Sequence, residues 1–241
     1  ESAEITSFYL APADGGEVPA YRPGQYVSVR VYVPELGLMQ PRQYSLSDAP
    51  GQGRLRISVK REAGGAQNPA GRVSNALHDH LQEGGVLDVA PPQGDFHLRE
   101  DSDAPVVLLS GGVGLTPMVS ILNHLVATDD PRQIRFVHGC RNNAVHAMKD
   151  HVNTIAASRG NVRKAVFYEE VGSGDRKGHD YDHSGRVDLN AIRDEAIVPD
   201  ADYYLCGPSG FMRAQRETLL ALGVAADRIH AEAFGSGGAP A

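Results

Sequence analysis

An apolar strand, a glycine-rich turn and an amphipathic helix follow one another near the middle of this 241-residue chain. The strand is predicted at Val106 to Leu109, the turn at Ser110 to Pro117 and the helix at Pro117 to Val126. A strand that is apolar on both faces needs covering on both sides, which a parallel sheet between two layers of helices provides. This segment therefore predicts an α/β fold for the part of the chain that contains it.

Strands and helices continue to alternate to the end of the chain. We predict strands at Ile134 to His138, Val166 to Tyr168, Tyr203 to Cys206 and Ile229 to Phe234, and helices at Val145 to Ala157 and Phe211 to Leu222. In open sheets of this kind, ligands lie outside the carboxyl ends of the strands.

The first hundred residues have a different pattern, with short β-branched or alternating runs between Gly and Pro clusters. We predict strands at Ile5 to Leu10, Gln25 to Val33, Arg42 to Ser47, Leu55 to Lys60 and Val86 to Ala90, and one helix at Val73 to Leu81. The pattern predicts an antiparallel β-barrel. The acidic segment 97–104 separates two expected domains, residues 1–100 and residues 105–241.

Composition excludes several classes of function. A formal net charge of −7 disfavours nucleic acid and anionic membrane as partners, because both attract basic surfaces. No run of apolar residues is long enough to span a membrane, so we expect a cytoplasmic protein with no membrane partner. Two cysteines, Cys140 and Cys206, cannot hold an iron–sulfur cluster of the plant type, which uses four.

The glycine-rich turn is a candidate phosphate site. Gly112 and Gly114 allow the backbone to approach a pyrophosphate, and the helix that follows directs its N–H groups toward it. We expect Thr116 to cap that helix and Pro117 to occupy its first position. Pro117 stands where the common dinucleotide fingerprint has its third glycine, and the alternative is a turn with a structural role alone.

The segment Arg42-Gln-Tyr-Ser45 offers a fixed cation, an aromatic ring and a hydroxyl on one strand. Arginine binds phosphate through two parallel hydrogen bonds, a tyrosine ring can stack on an isoalloxazine, and Ser45 can donate to the flavin N5. Strand alternation puts Arg42 and Tyr44 on one face, with Gln43 and Ser45 on the other. The alternative is a surface strand with one buried tyrosine.

Two further segments lie at strand ends. Cys206 precedes a glycine at the carboxyl end of a predicted strand, where a ligand ring can approach both its sulfur and the backbone. The alternative is a core residue, which is the common role of a buried cysteine. Phe234 can cover a flavin face with Glu232 near its edge, or belong to the core. The segment His179 to His183 contains metal-ligand residue types, but glycines flank it and we expect a solvated loop without a metal.

These segments and several others resemble, in order, the reductase part of bacterial flavohemoglobins, within the ferredoxin–NADP reductase-like family. The resemblance covers the whole chain. It is carried by Pro23 to Tyr26, Arg42 to Ser47, Ile57 to Glu62, Gly71 to His78, Ser110 to Met118, His138 to His146 and Tyr203 to Met212.

The resemblance implies an FAD-binding barrel followed by a nicotinamide-binding α/β domain. It implies FAD contacts at Tyr26, Arg42, Gln43, Tyr44, Ser45, Ser74, Ala233, Phe234, Gly235 and Ser236. It implies NADH or NADPH contacts at Gly111, Gly112, Val113, Gly114, Leu115 and Thr116, with Cys206 beside the nicotinamide. Ser45, Cys206 and Glu232 are the implied catalytic residues, Glu232 through its influence on the flavin.

The implied chemistry is hydride transfer from the nicotinamide to flavin N5, followed by single electrons to haem. The whole family protein is a nitric oxide dioxygenase whose haem lies in a globin domain, and this sequence contains no such segment. Glu1 to Ile5 is similar to the middle of the family's first β-hairpin, without the preceding strand. We therefore expect this chain to be a fragment of a longer polypeptide whose partner is the globin domain.

Two other hypotheses remain open from sequence. One is a separate reductase that serves an oxygenase or a ferredoxin, and the other is a flavin-binding sensor domain without catalysis. The choice between NADH and NADPH is also open. Arg141 can meet a 2′-phosphate, no acidic residue clearly selects the ribose hydroxyl, and the resemblance favours NADH. Ser236 stands where the family's closing motif has proline.

Overall fold

Antiparallel strands fill the first part of the chain in the computed structural model, which describes residues 1–65 and 69–233. Two sheets form there, one of β1 and β4 and one in the order β3-β2-β5. The elements are β1 (Ile5–Leu10), β2 (Tyr26–Val33), β3 (Leu38–Ser45), β4 (Leu55–Lys60), α1 (Arg72–His80) and β5 (Asp88–Val89).

The two sheets enclose an apolar core because alternate residues of each strand point inward. Val27 and Val29 of β2 and Ile57 and Val59 of β4 are fully buried in this core. The amphipathic helix α1 closes it with Leu77. The β-rich first part that the sequence predicts is therefore confirmed.

Strand β3 begins and ends earlier than the predicted Arg42 to Ser47. It starts at Leu38 because Gly37, at φ 64°, ends a short turn that returns the chain alongside β2. Pairing with β2 then runs without interruption from Leu38 opposite Val33 to Ser45 opposite Tyr26. The position of the hairpin turn, which sequence left unspecified, sets the bounds of β3.

A six-stranded parallel sheet in the order β11-β10-β6-β7-β8-β9 forms the second part of the chain. Its strands are β6 (Val106–Gly111), β7 (Ile134–Cys140), β8 (Val162–Tyr168), β9 (His183–Ser184), β10 (Asp202–Gly207) and β11 (Ile229–Ala233). Its helices are α2 (Leu115–Ala127), α3 (Lys149–Ser158), α4 (Arg193–Ala196) and α5 (Ser209–Ala221).

Both faces of this sheet are buried, as the apolar strands predict. Leu108 and Tyr204 lie in a core with α2 and α3, whereas Leu109 and Tyr203 lie in the core on the opposite face with Leu219 of α5. Alternating residues of the same two strands thus serve both cores. The prediction of an α/β fold is confirmed.

The predicted helix Val145 to Ala157 is wrong at its N-terminal end. Residues 143–145 form a single 3₁₀ turn, and α3 begins only at Lys149. Met148 separates the two because it takes a left-handed conformation at φ 55°, which a continuous helix does not allow. Burial of the Met148 side chain in the core of the parallel sheet accompanies this break.

The β-rich part has a gap between β1 and β5. In the described part of the chain, β1 is hydrogen-bonded to β4 alone and β5 to β2 alone. A groove of about 790 Å³ lies between these strands, with Tyr9 and Leu10 on one side and Leu87 and Val89 on the other. Two open strand edges therefore face a common apolar groove.

Polar contacts join the β-rich part to the parallel sheet. The backbone carbonyl of Asp48 accepts a hydrogen bond from Ser120 Oγ at 2.7 Å, and its carboxylate accepts one from Asn123 Nδ2 at 2.8 Å. Both donors lie on α2. This contact fixes α2, and with it the turn before α2, relative to the β-rich part.

Among the described residues, no helix combines the length and the apolar character that crossing a membrane requires.

Candidate functional site

A space of about 230 Å³ lies where β3 and β4 diverge. The two strands meet at the Leu46–Ile57 bridge and then separate, so that the N-terminus of α1 and the turn before α2 close the space between them. Its lining is Arg42, Gln43, Tyr44, Ser45, Ser58, Lys60, Glu62, Gly71, Arg72, Val73, Ser74, Val113 and Thr116. We call this space the flavin pocket.

All four residues of Arg42-Gln-Tyr-Ser45 line the flavin pocket, although successive side chains of a strand point to opposite faces. They do so because the pocket lies along the edge of β3 that is not paired with β2, where both faces are within reach. The structure therefore brings Arg42 and Tyr44 to the same space as Gln43 and Ser45, although strand alternation predicted opposite faces for the two pairs.

The pocket combines a neutral phenol with an exposed cation. Burial raises the pKa of Tyr44 to about 12, against the smaller opposing effect of Arg42. Arg42 is exposed and its Nη1 donates to the carbonyl of its neighbour Pro41 at 3.0 Å. Ser45 is buried beneath them. The tyrosine thus stays protonated at neutral pH and offers a ring and a hydroxyl, beside a guanidinium that is open to an anion.

The N-terminus of α1 closes the other side of the flavin pocket. Ser74 Oγ donates to the Gly71 carbonyl at 3.0 Å and accepts from the Glu62 N–H at 3.3 Å. A Cβ added at Gly71 would lie 2.6 Å from Ser74 Oγ, so only glycine fits there. Helix N–H groups at this end favour an anionic ligand.

Tyr26 lies beside the flavin pocket, outside its lining. It pairs with Ser45 across β2 and β3 and so shares a face with it. Its ring packs against Gly94, where an added Cβ would lie 2.9 Å from Tyr26 Cε1. The predicted FAD contact of Tyr26 stays a prediction.

A second space, of about 520 Å³, runs across the carboxyl ends of the parallel strands, and we call it the dinucleotide cleft. Gly111, Gly112 and Val113 line it at the end of β6, and Pro208 and Phe211 line it after β10. Gly112 takes a φ of +54°, is exposed, and has nothing within 4 Å of where a Cβ would lie, so its backbone is accessible to a ligand.

Gly114 is required for the packing of this turn. A Cβ at Gly114 would collide with the backbone carbonyl of Cys206 on β10. Leu115 is buried behind it as the first residue of α2. The glycine-rich turn therefore holds the N-terminus of α2 tightly against β10.

The predicted helix cap at Thr116 is wrong. α2 already begins at Leu115, so that Thr116 is its second residue and Pro117 its third. The Thr116 hydroxyl donates to the carbonyl of Val113 at 3.1 Å instead of accepting from the first turn of the helix. Thr116 nevertheless lines the flavin pocket, together with Val113.

Cys206 and Glu232 are neighbours in the parallel sheet, where they form a register pair. Cys206 is fully buried and lies in the core beside α2, so its side chain does not line the dinucleotide cleft. Burial, and then the Glu232 carboxylate, raise the pKa of its thiol well above the usual value. Burial and then Asp95 raise the pKa of Glu232. Burial thus shifts the titration of both groups toward higher pH.

The chain end carries the remaining predicted flavin contacts. Ala233 is the last residue of β11 and pairs with Gly207. Phe234, Gly235 and Ser236 lie outside the described residues.

The segment 179–183 is engaged in ion pairs and ring contacts. Asp180 accepts from Lys149 Nζ at 2.6 Å, and this hydrogen bond holds the pKa of its carboxyl well below the usual range. His183 stacks on Phe167 with ring centroids 4.6 Å apart. Within residues 1–65 and 69–233, no cluster of three or more His, Cys, Asp or Glu side chains is arranged to hold a metal ion.

Sequence analysis missed Lys60, which lines both the flavin pocket and the dinucleotide cleft. Alternation along β4 puts Ser58 and Lys60 on one face, but only the structure brings that face to the turn at Val113. Sequence also missed the ion pair between Arg141 and Glu4, which spans 137 positions and joins the two parts of the chain. Glu169, directly after β8, could have been found from the rule that ligands bind at the carboxyl ends of parallel strands.

Comparison with known proteins agrees with this architecture. The family profile of oxidoreductase NAD-binding domains matches residues 108–217. A flavohemoprotein of Bordetella pertussis is 74% identical over 239 residues, which are 99% of this chain and 59% of that protein. This chain therefore spans a little over half the length of that relative.

Two solved structures are similar over nearly the whole chain. The flavohem-like FAD/NAD-binding domain of a nitric oxide dioxygenase from Vibrio cholerae is 40% identical, with a TM-score of 0.86 over 98% of this chain and 94% of that one. A flavohemoglobin of Malassezia yamatoensis with bound FAD and haem is 26% identical, with a TM-score of 0.81 over 97% of this chain and 57% of that one.

The fold and the two spaces define an oxidoreductase domain of the ferredoxin reductase-like class. Within that class, this chain belongs to the family of flavohemoprotein FAD/NAD-binding domains.

Proposed function

We propose that this chain binds FAD in the flavin pocket and a nicotinamide dinucleotide in the dinucleotide cleft, and that hydride passes between them. The observation that carries the proposal is that the two spaces meet, since Val113 and Lys60 line both. Two ligands in these spaces would touch at that junction, which is the geometry that direct transfer needs.

The residues of the flavin pocket fit FAD. The Arg42 guanidinium and the N-terminus of α1 at Gly71 to Ser74 supply donors for a pyrophosphate. Tyr44 supplies a half-buried ring with a protonated hydroxyl, and Ser45 a buried hydroxyl that can donate to a ring nitrogen. Gln43 lines the same edge.

The dinucleotide cleft fits a pyrophosphate at Gly111 to Val113, the part of the predicted turn Gly111 to Thr116 that lines it. Gly112 leaves backbone exposed there, and the tight contact of Gly114 with β10 aims the N-terminus of α2 at the cleft. Lys60 supplies a cation at the junction with the flavin pocket. These residues bind and orient the dinucleotide.

Bound FAD would supply the redox chemistry, because a flavin can accept a hydride from a nicotinamide and release the two electrons one at a time. The chain orients the two rings and excludes water between them. We assign Cys206 and Glu232 to this junction as neighbours of the nicotinamide, and Ala233 to the flavin side. Because the Cys206 side chain is buried in the core beside α2, its contact with the ring would require a rearrangement of that core.

We further propose a division into an FAD-binding domain, residues 1–100, and a nicotinamide-binding domain, residues 105–241, which the two separate sheet systems support.

In the whole protein the electrons would pass to haem in a globin domain and the activity would be nitric oxide dioxygenation. The names of the Vibrio cholerae and Malassezia yamatoensis structures support this, as does the greater length of the Bordetella relative. Two buried free cysteines support a reducing, cytoplasmic location.

The reductase activity is tested with ferricyanide, a one-electron acceptor that needs no haem. We expect the FAD-loaded chain to oxidise NADH or NADPH and to reduce two equivalents of ferricyanide for each dinucleotide oxidised, because each hydride carries two electrons. The FAD-free chain is the control. A loaded chain that is no faster than free FAD would overturn the proposal.

A further inference from the structure

Four charged side chains line one end of the dinucleotide cleft, beside the carboxyl ends of β7, β8 and β9. They are Glu4, Arg141, Glu169 and Arg186. Arg141 is paired with Glu4, and Arg186 Nε lies 3.6 Å from Glu169 Oε2. Both guanidiniums at this end are thus already matched by carboxylates that line the same cleft.

The adenosine half of a dinucleotide would lie at this end. The nicotinamide must reach the junction at Val113 and Lys60, and the lining of the flavin pocket contains no residue of β7, β8 or β9. With the pyrophosphate at the glycine-rich turn, the other half of the ligand extends over the ends of β7 and β8. The adenosine ribose is the group whose 2′ position differs between NADH and NADPH.

Resting on the function proposed above, we propose that Glu169 is the residue that selects NADH over NADPH. A carboxylate accepts hydrogen bonds from ribose hydroxyls, whereas it repels the dianionic 2′-phosphate of NADPH. Arginine would favour the phosphate, but Glu169 and Glu4 neutralise the two arginines that could bind it. The preference for NADH therefore does not require a cleft without arginines, because carboxylates already pair with both arginines at this end.

Binding of ADP-ribose and 2′-phospho-ADP-ribose to the FAD-loaded chain tests the proposal by calorimetry, independently of hydride transfer. We expect the unmodified chain to bind ADP-ribose about tenfold or more tightly, the scale of one hydrogen bond to a charged group. In Glu169→Gln the preference should fall by about tenfold, because the amide does not repel the phosphate and Arg186 is released. Glu169→Ser should act in the same direction.

The chain offers a matched control in the adjacent carboxylate. Glu170 accepts from Asn142 Nδ2 at 3.2 Å and does not line the cleft. Glu170→Gln should leave the preference unchanged. In the double variant Glu169→Gln with Arg186→Gln, the gain in 2′-phospho-ADP-ribose binding should be smaller than in Glu169→Gln alone, since the released cation is gone and only the loss of repulsion remains.

The outcomes separate this inference from the function on which it rests. If neither probe binds, the proposed dinucleotide cleft itself is wrong. If both bind but Glu169→Gln and Glu169→Ser leave their ratio unchanged, or the unmodified chain prefers 2′-phospho-ADP-ribose, the role of Glu169 is overturned and the cleft stands. The ratio of kcat/KM for NADH and NADPH should follow the binding ratio in every variant.

Discussion

Among the residues that line the flavin pocket, Arg42 is the one that we propose binds an anionic part of FAD. It is exposed at the pocket edge, and its hydrogen bond to the Pro41 carbonyl holds it there. We expect Arg42→Ala to weaken FAD binding by about tenfold or more, because a charge-assisted hydrogen bond is worth roughly 1.5–3 kcal/mol. The dissociation constant is measured by quenching of FAD fluorescence.

The matched control is Arg54, whose guanidinium lies 4.3 Å above the ring of Tyr9 and away from the pocket lining. Arg54→Ala should leave FAD affinity unaltered. Equal FAD affinity in Arg42→Ala and the unmodified chain would remove Arg42 from the binding site.

His138 carries a pH dependence of stability. It is buried on β7, its Nδ1 lies 2.9 Å from Ser110 Oγ, and burial lowers its pKa from 6.5 to about 4. Between these values the unfolded chain binds more protons than the folded one, so stability is complete above pH 6.5 and falls as the pH drops toward 4. Protonation of His138 at low pH therefore lowers the free energy of unfolding by about 3 kcal/mol in total, at 1.36 kcal/mol for each pKa unit.

Urea unfolding at a series of pH values measures this contribution. His138→Gln should make the fall in unfolding free energy between pH 6.5 and pH 4 less steep than in the unmodified chain, while His146, whose pKa burial also lowers, retains its own part of the fall. His80→Gln, at an exposed position on α1, should retain the fall. Parallel pH profiles for His138→Gln and the unmodified chain would show that the imidazole is not buried in its neutral form.

At the scale of elements, the turn between β6 and α2 depends on the absence of a side chain at Gly114. An added Cβ would collide with the Cys206 carbonyl, so Gly114→Ala must separate α2 from β10. We expect a loss of about 1–3 kcal/mol in stability, the usual cost of overpacking, together with weaker ADP-ribose binding. Gly160→Ala, where nothing lies within 4 Å of the added Cβ, is the control. Normal binding by a stable Gly114→Ala chain would contradict this description of the turn.

The groove between β1 and β5 leaves one edge of each strand open in the described residues. We propose that an added strand can occupy this groove of about 790 Å³ and pair with both edges. Extending the chain at its N-terminus by a designed strand-forming segment should raise the melting temperature by several degrees, since a gain of 1 kcal/mol shifts it by roughly 2–4 °C. The same extension with prolines at alternate positions should have no such effect. An equal melting temperature with and without the unmodified extension would argue against the proposal.

At the scale of the whole molecule, the two-part architecture can be predicted from sequence because each part has its own local periodicity of apolar residues. Strands such as β4 and β6 can be recognised from their own apolar patterns, whereas β3 depends on its partner β2 for its starting residue. The site was predicted less completely. Arg42 to Ser45 and Gly111 to Thr116 carry local motifs, but the junction at Lys60 and the ion pair of Glu4 with Arg141 exist only through long-range packing.

The position of α2 connects these observations. Its N-terminus carries the glycine-rich turn, and its Ser120 and Asn123 bind Asp48 of the β-rich part. The same contact that joins the two parts of the chain therefore brings Val113 to the flavin pocket. Hydride transfer between ligands of the two spaces depends on this arrangement of the whole molecule.

An anaerobic titration of the FAD-loaded chain with NADH tests hydride transfer between the two spaces without any added electron acceptor. We expect the oxidised flavin absorption band to disappear rapidly, with one equivalent of NADH consumed for each FAD bound. Tight binding of both FAD and NADH with an unchanged flavin band would contradict hydride transfer and favour a flavin-binding domain without catalysis.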